Sequence, residues 1–187
     1  MKKFYSIILI IGFILLLNGC AKETSNKITE RVDLKINLTH YEDIVKLYKD
    51  SYVIVLGKPV ENVDALKTTI KTISTKEQIY SQVFFQISEV IKGKDKQCPG
   101  NTLLIYQPGG GYENVEYIEK STSYLNIGKQ YILFLKDVGN GNYSLASPYE
   151  GMIEIVNDDA IPRPGNSIFT SKLSLSQLKE KLNNVSN

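Results

Sequence analysis

The chain has 187 residues, the size of about one domain, and its 42% apolar and 22% charged residues exclude wholesale disorder. Its 22 Lys and Arg against 20 Asp and Glu leave +2, and loss of Lys2 and Lys3 with a leader would leave a neutral body, which argues against nucleic acid as a partner. One His and two Cys exclude a rich metal site or a disulfide framework.

Lys2 and Lys3 precede an apolar stretch from Ile7 to Leu17. At ~1.5 Å per residue that stretch is too short for a ~30 Å hydrocarbon core, but it fits the apolar region of a secretory leader. It ends Leu17-Asn18-Gly19-Cys20. This ending resembles the lipobox of bacterial lipoproteins, with Asn18 the less usual choice at its place. The resemblance implies a signal peptide over 1–19 and a diacylglycerol thioether on Cys20, the new N-terminus. It places the chain on the extracytoplasmic face of the cell membrane as a lipoprotein, held by its acyl chains. An ordinary cleaved signal peptide or an uncleaved N-terminal helix are the other readings.

Residues 20–30 are polar after the cysteine and read as a flexible tether. Residues 31–187 are expected to form one β-barrel domain. Val32, Leu34, Ile36 and Leu38 alternate with polar residues, which predicts a half-buried strand. Thr39 and Glu42 match a capping box, predicting a helix from about His40 to Lys49. Tyr52 to Gly57 reads as a strand buried on both faces, and Pro59 is expected to limit its regular pairing. Tyr80 to Val90 predicts a strand with Val83, Phe85 and Ile87 inward and a bulge near Glu89. Lys92 to Lys96 reads as a basic turn.

Further strands are predicted over Thr102–Gln107, Lys129–Lys136, Tyr143–Ala146 and Met152–Val156, with a hairpin turn at Gly139-Asn140-Gly141-Asn142. At the C-terminus Ser174 and Gln177 form a second capping box. Leu173 and Leu178 make a staple pair, and Leu175, Leu178 and Leu182 a stripe that must rest on the sheet. Short strands between Gly and Asn turns predict a mainly β chain: a small antiparallel barrel with a short N-terminal helix and a C-terminal helix packed on it.

The series Tyr52–Gly57, Phe84–Gly93, Thr102–Gln107 and Gly128–Leu135 resembles a pattern in uncharacterised secreted proteins of Gram-positive bacteria. In that pattern an apolar strand ends in Gly, the next ends in Lys-Gly, and a Gly-rich loop precedes Gly-x-x-Tyr-x-Leu-Phe-Leu. The layout is also similar to OB-fold and netrin-like barrels. The motifs imply fold and carry no catalytic residue.

The candidate chemistry is sparse. His40 stands at a helix start, where a solvated or capping role is expected. Glu42-Asp43 and Asp158-Asp159 are adjacent carboxylates whose side chains diverge, so neither forms a metal site or an acid–base dyad. Cys98 follows lysines in a turn and reads as a free thiol, with intermolecular pairing as the alternative. The conspicuous segment is Gln107-Pro108-Gly109-Gly110-Gly111-Tyr112. It lacks the Lys, Ser/Thr and following helix of a phosphate loop. It reads either as a plain connection between strands or as a ligand loop of Tyr106, Gly109, Gly110, Gly111 and Tyr112, rimmed also by Tyr117 and Tyr124. The expected function is a non-enzymatic binding module with a protein or cell-envelope ligand, without cofactor or metal. A netrin-like protease inhibitor, or a hydrolase, is the alternative. The inhibitor mechanism needs a free N-terminal cysteine amine, which a membrane-held Cys20 would not present.

Overall fold

The computed structural model describes residues 28–34, 39–70, 76–93, 100–120 and 124–186. The lipobox, Cys20, the tether up to Lys27, the second half of the first predicted strand and the turn holding Cys98 lie outside them. The described elements in chain order are β1 (Glu30–Asp33), α1 (Ile44–Asp50), β2 (Val53–Thr68), β3 (Gln78–Lys92), β4 (Thr102–Pro108), β5 (Gly110–Tyr112), β6 (Val115–Ile118), β7 (Gln130–Gly139), β8 (Asn142–Leu145), β9 (Met152–Val156), β10 (Asp159–Ile161), β11 (Leu173–Ser174) and α2 (Leu175–Ser186). Among them no helix is long and apolar enough to cross a membrane.

The two most apolar strands, β2 and β7, sit side by side and are buried at every position from Val53 to Gly57 and from Tyr131 to Leu135. A strand shows alternate side chains to opposite faces, so two faces must be covered. Val53, Val55, Leu133 and Leu135 join Val83, Phe85, Leu103, Ile105 and Tyr143 in one apolar cluster. Ile54, Leu56, Ile132 and Phe134 join Tyr41, Leu47, Leu178 and Leu182 in another. The first cluster is enclosed by strands and the second is roofed by the two helices.

Pairing explains the enclosure. The sheet runs β11-β10-β9-β7-β2-β3-β4-β8, and β8 pairs back onto β7. The strands β7, β2, β3, β4 and β8 thus form a hydrogen-bonded ring, a barrel-like arrangement of the five-strand size found in OB-folds. One pair in the ring, β4 with β8, is parallel, where the sequence reading expected antiparallel pairing throughout. A separate sheet, ordered β1-β6-β5, also holds a parallel pair, β1 with β6.

Several local expectations shift for physical reasons. Helix α1 starts at Ile44, and its N-cap is Asp43, whose Oδ1 accepts the Lys46 N–H at 2.7 Å; Thr39 is not the cap. Residues 40–41 are committed elsewhere: Tyr41 is 1% exposed and its carbonyl accepts the Ser167 hydroxyl at 2.6 Å. Pro59 does interrupt regular pairing as expected: a register shift falls between Pro59 and Glu61, where its missing N–H is tolerated, and β2 continues beyond it to Thr68. The bulge expected near Glu89 is present at Ser88, between the Leu56–Glu89 and Gly57–Ile87 pairs, and a second one at Ile91 lies between the Ile54–Lys92 and Val55–Val90 pairs. Val90 consequently remains 43% exposed, and Ile91 packs on the helix-covered cluster instead. Gly57 faces its neighbour so closely that a Cβ would stand 2.1 Å from the Gln86 carbonyl oxygen. Only glycine permits that approach.

The lysine of the Lys-Gly ending has a structural task. Lys92 Nζ donates to the carbonyls of Tyr48 and, at 2.6 Å, Ser51, which lie at the C-terminal end of α1, and sits 4.6 Å from the Tyr48 ring centroid. Those carbonyls are otherwise orphaned at a helix end. Burial lowers the Lys92 pKa, and Asp50 opposes that shift. Lys92→Ala is expected to destabilise the chain by about 1–2 kcal/mol, since charged hydrogen bonds and a helix C-cap are lost together. Urea denaturation would show it as a lower midpoint at unchanged slope.

The C-terminal helix forms as its sequence predicts. Gln177 Oε1 accepts the Ser174 N–H at 2.9 Å, and Ser174 Oγ accepts the Gln177 N–H at 3.2 Å. Leu178 and Leu182 are fully buried, with Leu173 and Leu175 packed at the cluster's margin.

Candidate functional site

The glycine-rich segment is strand, not loop. Gly109 bridges to β3: its N–H donates to the Ile79 carbonyl at 2.7 Å, and its carbonyl accepts the Ser81 N–H at 2.6 Å. Gly110 to Tyr112 then form β5, which turns through Glu113-Asn114 into β6. Gly109 has φ of 94°, and a Cβ there would lie 2.3 Å from the Tyr124 hydroxyl and 2.6 Å from the Tyr117 carbonyl oxygen. A Cβ on Gly110 would press on Ser81, whereas Gly111 has open space around it. Two of the three glycines therefore let the small sheet lie against the ring.

The tyrosines do not share one rim. Tyr106 packs edge-on to the buried Tyr80, centroids 6.3 Å apart. Tyr112 and Tyr117 are half-buried on β5 and β6, where Tyr112 pairs with Val115 and Tyr117 with Gly110. Tyr124 lines a hollow together with Gly110. Its hydroxyl donates to the Pro108 carbonyl at 3.1 Å, which fixes the ring. Burial, and then the charges of Glu116 and Glu119, push its pKa up.

That hollow is a groove of about 270 Å³ lined by residues of β2, β3, the end of β4, Gly110 and residues 124–126. Asn62, Gln82, Gln107 and Asn126 line it. Gln107 Oε1 accepts the Leu125 N–H at 2.8 Å, and Gln82 Nε2 donates to the Asp64 carbonyl at 2.7 Å. These bonds orient both amides and leave Gln107 Nε2 and Gln82 Oε1 with no partner among the described residues. A second hollow of about 220 Å³ adjoins it, sharing Tyr124 and Asn126 as a common wall. The chain matches no family model and no curated protein.

A second polar centre lies on the turn between β8 and β9, and the sequence reading missed it. Glu150 is fully buried. Ser147 Oγ bonds its Oε2, while Ser167 Oγ at 3.1 Å and His40 Nδ1 at 3.3 Å bond its Oε1. His40 stacks on Tyr149 with centroids 4.6 Å apart and does not cap α1. Burial alone would raise the Glu150 pKa; the bonds from Ser147, His40 and Ser167 outweigh it and hold the carboxyl below its ordinary value. Both serine hydroxyls bond the carboxylate and neither bonds the imidazole, so no serine–histidine pair is formed among the described residues. The cluster ties three segments together: residues 39–41, the 147–151 turn and residues 163–169. Arg163 and Asn166 add to the tie by donating to the carbonyls of Pro148 and Tyr149.

The paired carboxylates separate as expected. Asp43 caps α1, while Asp158 occupies the β9–β10 turn and Asp159 pairs with Lys172 at 2.6 Å. Among the described residues no group of three or more His, Cys, Asp or Glu side chains could hold a metal ion.

Proposed function

We propose that the chain is a lipoprotein, anchored through Cys20 on the extracytoplasmic membrane face, and that it serves as a non-enzymatic module binding a protein or cell-envelope ligand in the Tyr124 groove. The observation that carries the reading is the basic-then-apolar leader ending in Leu17-Asn18-Gly19-Cys20. Two acyl chains hold a protein where one is marginal, because each buried methylene contributes ~0.8 kcal/mol. The groove supports the binding half of the reading: it is lined by Tyr124, held by its own hydroxyl, and by two amides each with an atom that no described residue engages.

Cys20→Ala tests the anchor. Palmitate labelling should vanish and the protein should leave the membrane fraction or persist as an uncleaved precursor. Label retained on the variant would overturn the anchoring. Capture of envelope material by the full-length protein should fall in the Asn62→Ala/Asn126→Ala double variant, and unchanged capture would remove the groove from the function.

A further inference from the structure

The groove's lining is chemically uniform. Asn62, Ser81, Gln82, Gln107 and Asn126 are neutral hydrogen-bonding residues, Tyr124 is aromatic, and among the described residues no Asp, Glu, Lys or Arg side chain lines it. A charged ligand would lose water there without gaining a counter-charge. The acidic side chains of Glu116 and Glu119, which raise the Tyr124 pKa, disfavour an anion further. Primary amides offer both a donor edge and an acceptor edge, which matches a pair of adjacent hydroxyls, each able to donate and accept. Gln107 contributes a donor and Gln82 an acceptor that no described residue occupies, both already oriented by bonds to the fold, so little ordering is needed on binding. An aromatic face that is held in place by its own hydroxyl suits the C–H face of a pyranose ring.

Size agrees with this. The groove falls below the roughly 300–1,000 Å³ of pockets for drug-sized ligands, as one small ring would require. The adjoining hollow has Tyr124 and Asn126 in common, and its two charged residues are already engaged, Glu154 by Lys129 at 2.9 Å and Arg163 by the Pro148 carbonyl at 2.8 Å. An extended peptide would instead call for apolar side-chain pockets or a free strand edge, whereas the groove's apolar side chains are only Val63 and Leu125 besides Tyr124.

We infer that the groove binds a neutral saccharide: one ring stacks on Tyr124 with its hydroxyls on Asn62, Gln82, Gln107 and Asn126, and the chain continues past Asn126 toward the second hollow. This rests on the binding-module reading above. The test uses the full-length lipoprotein in a sugar-free detergent, titrated with N,N′,N″-triacetylchitotriose, maltotriose, trigalacturonate and an acetylated, amidated tripeptide. Calorimetry measures affinity, and saturation-transfer NMR shows which ligand protons touch the protein. At least one neutral trisaccharide should bind, with saturation concentrated on ring C–H groups. Asn62→Ala/Asn126→Ala should weaken binding about tenfold or more. Both residues are exposed and neither side chain bonds the described residues, so the thermal midpoint should not move. Tyr124→Phe should bind more tightly than Tyr124→Leu.

Failure of both neutral trisaccharides, tighter binding of trigalacturonate or the tripeptide, or unchanged affinity in the double variant would each overturn the inference. If the trisaccharides fail while envelope capture still depends on Asn62 and Asn126, the ligand class is wrong and the binding module stands. If capture is also independent of them, the binding reading falls with it.

Discussion

Glu150→Ala should lower stability by about 3–4 kcal/mol, roughly 10 °C in Tm for a domain of this size. The carboxylate is fully buried and is the shared partner of Ser147, Ser167 and His40. Removing it leaves a cavity and takes the acceptor from the buried Ser147 hydroxyl proton, although its oxygen still accepts the Tyr149 and Glu150 N–H groups. Glu150→Gln keeps the volume but loses the charge, and should cost about 1–2 kcal/mol. The pH dependence has a definite sign. The folded pKa lies below the ordinary 4.5, so the unfolded chain takes up a proton more readily than the folded one. The contribution of Glu150 is complete above 4.5 and is lost as pH falls through the folded pKa. Thermal melts of wild type and Glu150→Gln should therefore differ most near neutrality and converge in acid. A gap that widened toward low pH would show that the carboxylate is not the stabilising form.

Leu178→Ala and Leu182→Ala should each cost about 2–5 kcal/mol, the range for leucines truncated in a packed core. Both side chains are fully buried against Tyr41, Leu47 and the outer faces of β2 and β7. A helix of 12 residues is marginal in isolation, so its ordering depends on that burial. Glu180→Ala, on the exposed face, should stay within about 0.5 kcal/mol. Lys179 is a poorer control because it pairs with Glu89 of β3. Chemical denaturation of the three variants would separate a docked helix from a tail: equal midpoints would mean that the helix does not stabilise the ring.

Much of the fold was legible in the residues because its signals are local. Ser174 and Gln177 lie three apart and cap each other, whatever the rest of the chain does. The apolar runs Val53–Leu56 and Tyr131–Leu135 announce strands covered on both faces, and the structure supplies one cover from strands and one from helices. Asn140-Gly141 makes its hairpin from the conformational preferences of two residues. In each case the interaction energy is decided within a few residues of sequence.

What only the tertiary structure decided involves partners far apart in the chain. His40 meets Glu150 across 110 positions, and that competition draws residues 39–41 out of the helix which Thr39 and Glu42 would otherwise begin. Glu150 itself carries no local mark: a single glutamate before a glycine in a turn is ordinary, and its importance comes from burial alone. The glycine-rich segment became strand because Ile79 and Ser81 offered backbone partners to Gly109, and the three-stranded sheet exists because β1 found β6, 85 residues away between Arg31 and Glu116. The groove amides were likewise unreadable beforehand. Asn62, Gln82, Gln107 and Asn126 come from separate strands and a loop, and residues far apart in sequence share one surface only after the ring has closed. Patterning specifies which residues must leave water; it does not specify which distant polar groups are brought together when they do.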